Sequence, residues 1–342
     1  MKRYNGLIFL LIAAVMLLSA CRRNQYRANI SGIKVEVNIK RLEQDLFSVD
    51  PVKIPEMTGM LTEKYGNFLK YFSYVINIGE PGDSAWLDGL IRFCTDKLNN
   101  EVYAKTMEVF PELNWLEKDL STAFRYYRYY FPSKPVPAVY SCITGFNNSI
   151  ITGDSTLGIG LDRYLGKECK FYPQLGIYNY QAAKMTPSNI VTDCMYGWAA
   201  SEWDYEVMGY SPDDVLSSMI HEGKLLYFVK CMLPGLPDER IFGFTKEQMK
   251  FCIDNEGSMW QYLIENNLLF SADSFTKKKL MGEAPFTSYF SKESPGRAAV
   301  WIGFRIVESY MRHNRNITLE ELMSDKDTRA ILEKARYSPK AV

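Results

Sequence analysis

Residues Ser211 to Leu233 read SPDDVLSSMIHEGKLLYFVKCML, and the rest of the chain is best understood outward from them. Ser211 is a suitable helix cap, Pro212 suits a first helical position, and Asp213 and Asp214 favour the positive end of the dipole. Val215, Met219, Leu226 and Val229, with Ile220 beside them, then predict a buried or half-buried helix. His221 and Glu222 lie inside it. A second histidine four residues after the first would share its face and could grip one metal ion with it, as in the helix of zinc proteases. That position holds Leu225, which has no lone pair to give.

Composition narrows the classes. The chain has 342 residues, 47% hydrophobic and 23% charged, enough for one sizeable core or two small ones. Lys and Arg balance Asp and Glu at 40 each, so no nucleic-acid partner is indicated. Aromatic residues make up 14% of the chain, and the Tyr-rich run Phe124 to Tyr130 is expected to be core and core edge rather than a glycan platform.

At the N-terminus, Lys2 and Arg3 precede an apolar run from Leu7 to Leu18 and then Leu18-Ser19-Ala20-Cys21. This is the pattern of a secretory signal over residues 1–20, and its end resembles the lipobox of bacterial lipoproteins, with Cys21 the lipidated residue. An acylated Cys21 would anchor the chain, since each buried methylene contributes about 0.8 kcal/mol. Residues 21–29 read as a tether and 30–342 as a single domain. The remaining cysteines, at 94, 142, 169, 194, 231 and 252, contain no CxxC pair and are expected mostly as small buried hydrophobes.

Along the domain, Lys34 to Ile39 alternates as a strand with Val35, Val37 and Ile39 inward. Residues 56–130 are mainly helical in pattern. Strand-like pieces follow at 136–143, 149–151 and 156–161, predicting a small sheet ahead of the central helix. Pro234-Gly235-Leu236-Pro237 stops that helix, and Thr245 with Gln248 forms a capping box for the next. Ser294-Pro295-Gly296-Arg297 opens a helix over 298–312, and 318–335 is expected to close the chain as a short helix and its continuation.

The chemistry available is limited. Only His221 and His313 exist, and a catalytic zinc needs three protein ligands. In the metallopeptidase arrangement His221 is the first ligand, Glu222 the base, and Glu256 the candidate third ligand. His313 reads as a solvent-facing residue at a frayed helix end. If buried, Glu222 needs an Arg such as Arg305 or Arg297, or a hydroxyl. No GxSxG elbow and no phosphate loop is present.

With these residues laid out, the chain resembles the gliding motility lipoprotein GldB family of Bacteroidota. The resemblance is carried by the lipobox at Cys21, by Lys34 to Ile39 leading into Asp45-Leu46-Phe47, and by Ile159 to Gly166 with Asp162. It continues through Met219 to Tyr227 with Gly223 and Lys224, Asn255 to Trp260, Pro295-Gly296-Arg297, and Trp301 to Val307 with Arg305. That family is similar in turn to predicted secreted HExxH zinc proteases. The resemblance implies an α+β fold, a mainly helical zincin-like domain with a small, mostly antiparallel sheet, whose metal site has decayed. It implies a non-catalytic envelope lipoprotein without a cofactor, held to the membrane by lipid at Cys21. Arg22, directly after that cysteine, carries no retention signal, so the outer membrane facing the periplasm is the expected location. Its partner would be an envelope protein or a cell-wall component. The alternatives are a zinc-dependent hydrolase using His221, Glu222 and Glu256, and a wall-glycan-binding module.

Overall fold

The structure, a computed structural model, describes residues 25–340. The expected signal peptide and the lipidation at Cys21 lie outside the described residues.

The chain opens with a short strand, β1 (Ile39–Arg41), and a run of helices: α1 (Leu42–Phe47), α2 (Ile54–Tyr65), α3 (Asn67–Val75), α4 (Trp86–Thr95), α5 (Lys97–Val109) and α6 (Asn114–Tyr130). Strands β2 (Ala138–Cys142), β3 (Ile150–Gly153) and β4 (Thr156–Gly160) follow, then α7 (Ile190–Glu202) and α8 (Val215–Met232). The C-terminal third holds α9 (Lys246–Asp254), α10 (Glu256–Glu265), α11 (Ser274–Met281), α12 (Ala298–His313), α13 (Leu319–Ser324) and α14 (Thr328–Ala335).

The result is a mainly helical domain around a four-stranded sheet of order β1-β2-β4-β3. The sheet is mixed, not mostly antiparallel: β1–β2 and β2–β4 pair in parallel and only the β3–β4 hairpin is antiparallel. The connections explain the difference. The helices between β1 and β2 return the chain to the end where it started, and β3, on the sheet edge beyond β4, carries it back so that β4 runs parallel to β2. Alternation along the strands then covers both faces. Tyr140, Cys142 and Ile151 join the core that holds Phe68, Leu69 and Phe72 of α3. Val139, Leu157 and Ile159 join the larger core built on α6, α7, α8 and α12.

Residues 34–38 have no regular secondary structure and lie outside the ladder. Their backbone is satisfied by α6 instead: Val37 N–H donates to Ser121 Oγ at 2.9 Å and Ile39 N–H to Glu117 Oε1 at 2.8 Å. Val37 and Ile39 are buried as their alternation requires, while Val35 is half-buried. Within the expected tether, Tyr26 is already part of the fold. It is buried, its hydroxyl donates to Glu308 Oε1 at 2.6 Å, and its ring meets Tyr227 edge-on.

α8 is the axis of the larger core, buried on nearly every side. It starts later than its sequence suggests. Asp214, not Ser211, is the cap, accepting from Ser217 N–H at 2.9 Å while Arg329 pairs with its other oxygen, so Ser211 and Pro212 fall in the preceding turn. α12 packs directly along α8. A Cβ on Gly223 would lie 2.4 Å from the Gly303 carbonyl carbon, and one on Gly303 would lie 1.9 Å from the Met219 carbonyl oxygen. The Thr245–Gln248 capping box forms as expected, and the six described cysteines are free and buried. The last helical stretch is broken, with α13 and α14 separated at Asp325.

Candidate functional site

His221, Glu222, Lys224 and Leu225 occupy the middle of α8, and the fold sends each in a different direction. His221 is buried against two tyrosines: Tyr205 and Tyr210 meet its ring edge-on, and Tyr210 Oη lies 3.2 Å from Nδ1. Burial, reinforced by the nearby Lys224 charge, pulls its pKa down to about 4, so the imidazole is neutral at pH 7. Leu225 is buried in the core.

Lys224 is no surface feature. It is 1% exposed, its ammonium donates to the carbonyl of Asp325 at 2.6 Å, and it lies over the Tyr210 ring. Its pKa is pulled down to about 8 by burial. This explains the break between α13 and α14: carbonyls left open at a helix end receive a buried cation from α8.

Glu222 finds both kinds of partner that its burial calls for. Arg297 Nη2 donates to Oε2 at 2.9 Å and the Tyr196 hydroxyl donates to the same oxygen at 2.8 Å. Arg297 also reaches Glu283 at 3.2 Å, and Glu283 pairs with Lys184 at 2.8 Å. Burial alone would raise the Glu283 pKa, but Lys184 and Arg297 outweigh it and hold that carboxylate below its usual range.

The Pro295-Gly296-Arg297 motif aims this arginine. Thr287 Oγ1 donates to the Pro295 carbonyl at 2.8 Å and accepts from Ala298 N–H at 2.9 Å, capping α12. A Cβ on Gly296 would lie 2.0 Å from the Ala284 carbonyl oxygen, so only glycine allows this approach. Arg297 itself sits at φ 63°, a left-handed conformation costly for a side chain with a Cβ. The loop-to-helix corner is thus shaped to point Arg297 at Glu222.

Arg305 goes elsewhere. Its Nε donates to both oxygens of Glu256 at 3.1 Å, and the Tyr337 hydroxyl donates to Glu256 Oε1 at 2.9 Å. Glu256 is therefore engaged by α12 and the C-terminal segment, and none of its partners is a partner of His221. Among the described residues no group of three or more His, Cys, Asp or Glu is placed to hold a metal ion. The residues present do not fit a zinc centre: the second ligand position is carbon, the His221 Nδ1 faces a tyrosine, and the third-ligand carboxylate is engaged by Arg305 and Tyr337. His313 is exposed at the end of α12, with Nδ1 2.9 Å from the Ser309 carbonyl.

Asp162 is a structural hub. Fully buried, it accepts from Thr144 N–H at 3.1 Å and Phe146 N–H at 2.6 Å, closing the turn after β2. Burial pushes its pKa up to about 6.

Two cavities flank the Glu222–Arg297 pair. One, of about 410 Å³, is lined by His221, Glu222, Leu225, Tyr205 and Ser218. The other, of about 300 Å³, is lined by Arg297, Glu283, Lys184, Asp193 and Arg240. Tyr196 borders both. Asp193, which accepts from the Tyr164 hydroxyl at 2.8 Å, has its pKa pushed up to about 6 by burial.

A family model described as gliding motility protein GldB matches residues 23–339. The chain belongs to the GldB gliding motility lipoprotein family. No curated protein and no solved structure matches. The match covers all the motifs that carried the resemblance within the domain, and membership in this family connects the chain to gliding motility and the cell envelope. Tyr196, Glu283, Lys184 and Asp193 were not singled out by the sequence. Asp193 and Tyr196 share a face of α7 by their i,i+3 spacing, but nothing in that spacing points to residues 283 and 297.

Proposed function

We propose that this family member is an envelope lipoprotein, lipidated at Cys21 and held in the outer membrane facing the periplasm, that serves gliding motility or an associated envelope process by binding rather than by hydrolysis. Its partner is an envelope protein or a cell-wall component. On this reading the domain is zincin-like by descent, with the protease helix retained and its metal site lost. One observation carries it: Glu222, the residue that would act as the base, is held by Arg297 and Tyr196. The oxygen that a base would turn towards a water is already occupied by two protein donors, Arg297 and Tyr196.

The test uses the full chain purified from membranes in detergent, with its metal content measured beside peptidase activity on an unfolded protein substrate. Substoichiometric zinc and no cleavage above a His221→Ala control are expected. Zinc near one equivalent, lost together with cleavage in His221→Ala, would replace this reading with the hydrolase. Labelled fatty acid incorporated into the wild type but not into Cys21→Ser, with density-gradient fractionation, checks the anchor and the membrane.

A further inference from the structure

The place where the chain enters the fold is fixed. The Tyr26 hydroxyl is on Glu308, its ring is against Tyr227, and its carbonyl accepts from the Tyr130 hydroxyl at 3.3 Å. Arg125 then holds the carbonyls of Ile30 and Ile33 at 3.0 and 2.9 Å, so the entering segment has no slack after residue 26. If Cys21 is the lipidated residue, only the stretch from Cys21 to Gln25 separates lipid from fold. Fully extended, it reaches at most about 14 Å. The surface around Tyr26 is therefore kept close to the bilayer, where even a weak affinity for the membrane is enough to dock it.

That surface has the chemistry of a membrane contact. Arg27 is exposed and borders a hollow of about 630 Å³ between α6 and the turn that ends α8. Trp115 and Tyr126 of α6 line it on one side, Leu233 and Leu236 on the other. Trp115 is 40% exposed, while the other tryptophans are buried or half-buried. An indole with one apolar and one wet side is the group most at home at headgroup level. Charge points the same way. Arg22, Arg23, Arg27 and Lys34 all precede the first acidic residue of the chain, Glu36, and the hollow adds Arg240 against Asp119.

We propose that this face rests on the bilayer that carries the anchor, with Trp115, Leu233 and Leu236 at headgroup level and Arg27 on lipid phosphate. Apolar burial at the acyl boundary and basic residues on anionic headgroups together give the second signal that a lipid anchor gains from. The inference rests on lipidation at Cys21. It also orients the domain: the C-terminal end of α8 is at the membrane, and Glu222 lies about 16 Å back along the helix axis from Leu233. The cavity lined by His221 and Glu222 is thus left clear of the contact and free for an envelope partner.

The test is tryptophan fluorescence of the full chain, purified from membranes and reconstituted into vesicles of phosphatidylcholine and phosphatidylglycerol with brominated acyl chains. Flotation of the vesicles and fatty-acid labelling report the anchor separately. Brominated lipid should quench the wild type at least about twofold more than Trp115→Phe, and the vesicles should shield Trp115 from acrylamide. Arg27→Glu combined with Leu236→Asp, checked for an unchanged melting curve, should still float but lose most of the Trp115 quenching. Val207 marks the other end of α8: it is 83% exposed and close in sequence to Tyr205, whose ring meets His221. Val207→Trp in a Trp115→Phe background should stay open to acrylamide and escape the brominated lipid. Protein that floats while Trp115 is quenched by acrylamide alone overturns the docking and leaves the anchor standing. Quenching by brominated lipid in the Val207→Trp variant instead, or unchanged quenching in the Arg27→Glu, Leu236→Asp variant, overturns it as well. Protein that carries no fatty acid and does not float overturns both the anchor and the docking.

Discussion

Gly223 of α8 and Gly303 of α12 stand against each other with backbone on backbone, so neither position has room for a methyl group. Either alanine gains up to about 1 kcal/mol of helix propensity but must push two buried helices apart. We expect Gly223→Ala and Gly303→Ala each to lower unfolding free energy by about 2 kcal/mol or more in urea titrations. A loss under about 0.5 kcal/mol in both would contradict the contact.

The ion pair between Glu222 and Arg297 is partly exposed, so its coupling is moderate. A double-mutant cycle with Glu222→Gln and Arg297→Gln should give about 1 kcal/mol, below the range of fully buried pairs. Arg297 also has a positive φ. Arg297→Gly therefore removes the pair but relieves the backbone, whereas Arg297→Ala removes the pair and keeps the strain. The alanine variant should be less stable than the glycine variant by about 1 kcal/mol; the reverse order would mean that the left-handed conformation is absent.

His221 governs part of the acid response. Its folded pKa of about 4 lies below the usual 6.5, so its contribution to stability is full above about 6.5 and is lost as pH falls through 4. Asp162 and Asp193 act in the opposite sense. Each is raised from 3.8 to about 6, giving a contribution that is present below 3.8 and lost as pH rises through 6. Comparing wild type with His221→Gln at pH 7 and pH 4.5 isolates the imidazole: the wild type should lose more stability than the variant, by on the order of 2 kcal/mol. An imidazole resonance titrating near 6.5 would refute this.

Lys224 links α8 to the break before α14, and its folded pKa of about 8 lies below the usual 10.5. Stability from this group therefore rises between about pH 8 and 10.5. Lys224→Met removes the desolvated cation but strands the carbonyls it serves. The variant should lose the alkaline rise, and amides of residues 325–330 should exchange hydrogen faster; unchanged exchange there would show that the bond does not hold the C-terminal helices.

Asp162→Asn keeps the size but replaces one acceptor oxygen with a donor that faces the N–H groups of Thr144 and Phe146. A loss of about 2–4 kcal/mol at pH 7 is expected by urea titration, and a near-neutral result would mean that the turn is held by other contacts.

Local patterns were decided by the residues themselves. The capping box at Thr245, the end of α8 at Pro234, the burial of Val37 and Ile39, and the need of Glu222 for a donor all follow from chemistry within a few residues. Family motifs, too, were visible in order along the chain. What the sequence could not decide were relationships across long separations: which strand neighbours which, that Arg297 rather than Arg305 meets Glu222, and that Arg305 and Tyr337 occupy Glu256. The same limit hid Asp325 as the partner of Lys224, which looks like a surface lysine until α13 ends above it. Pairing energies of this kind depend on distance and burial, and both are set only when α7, α8, α10 and α12 have packed.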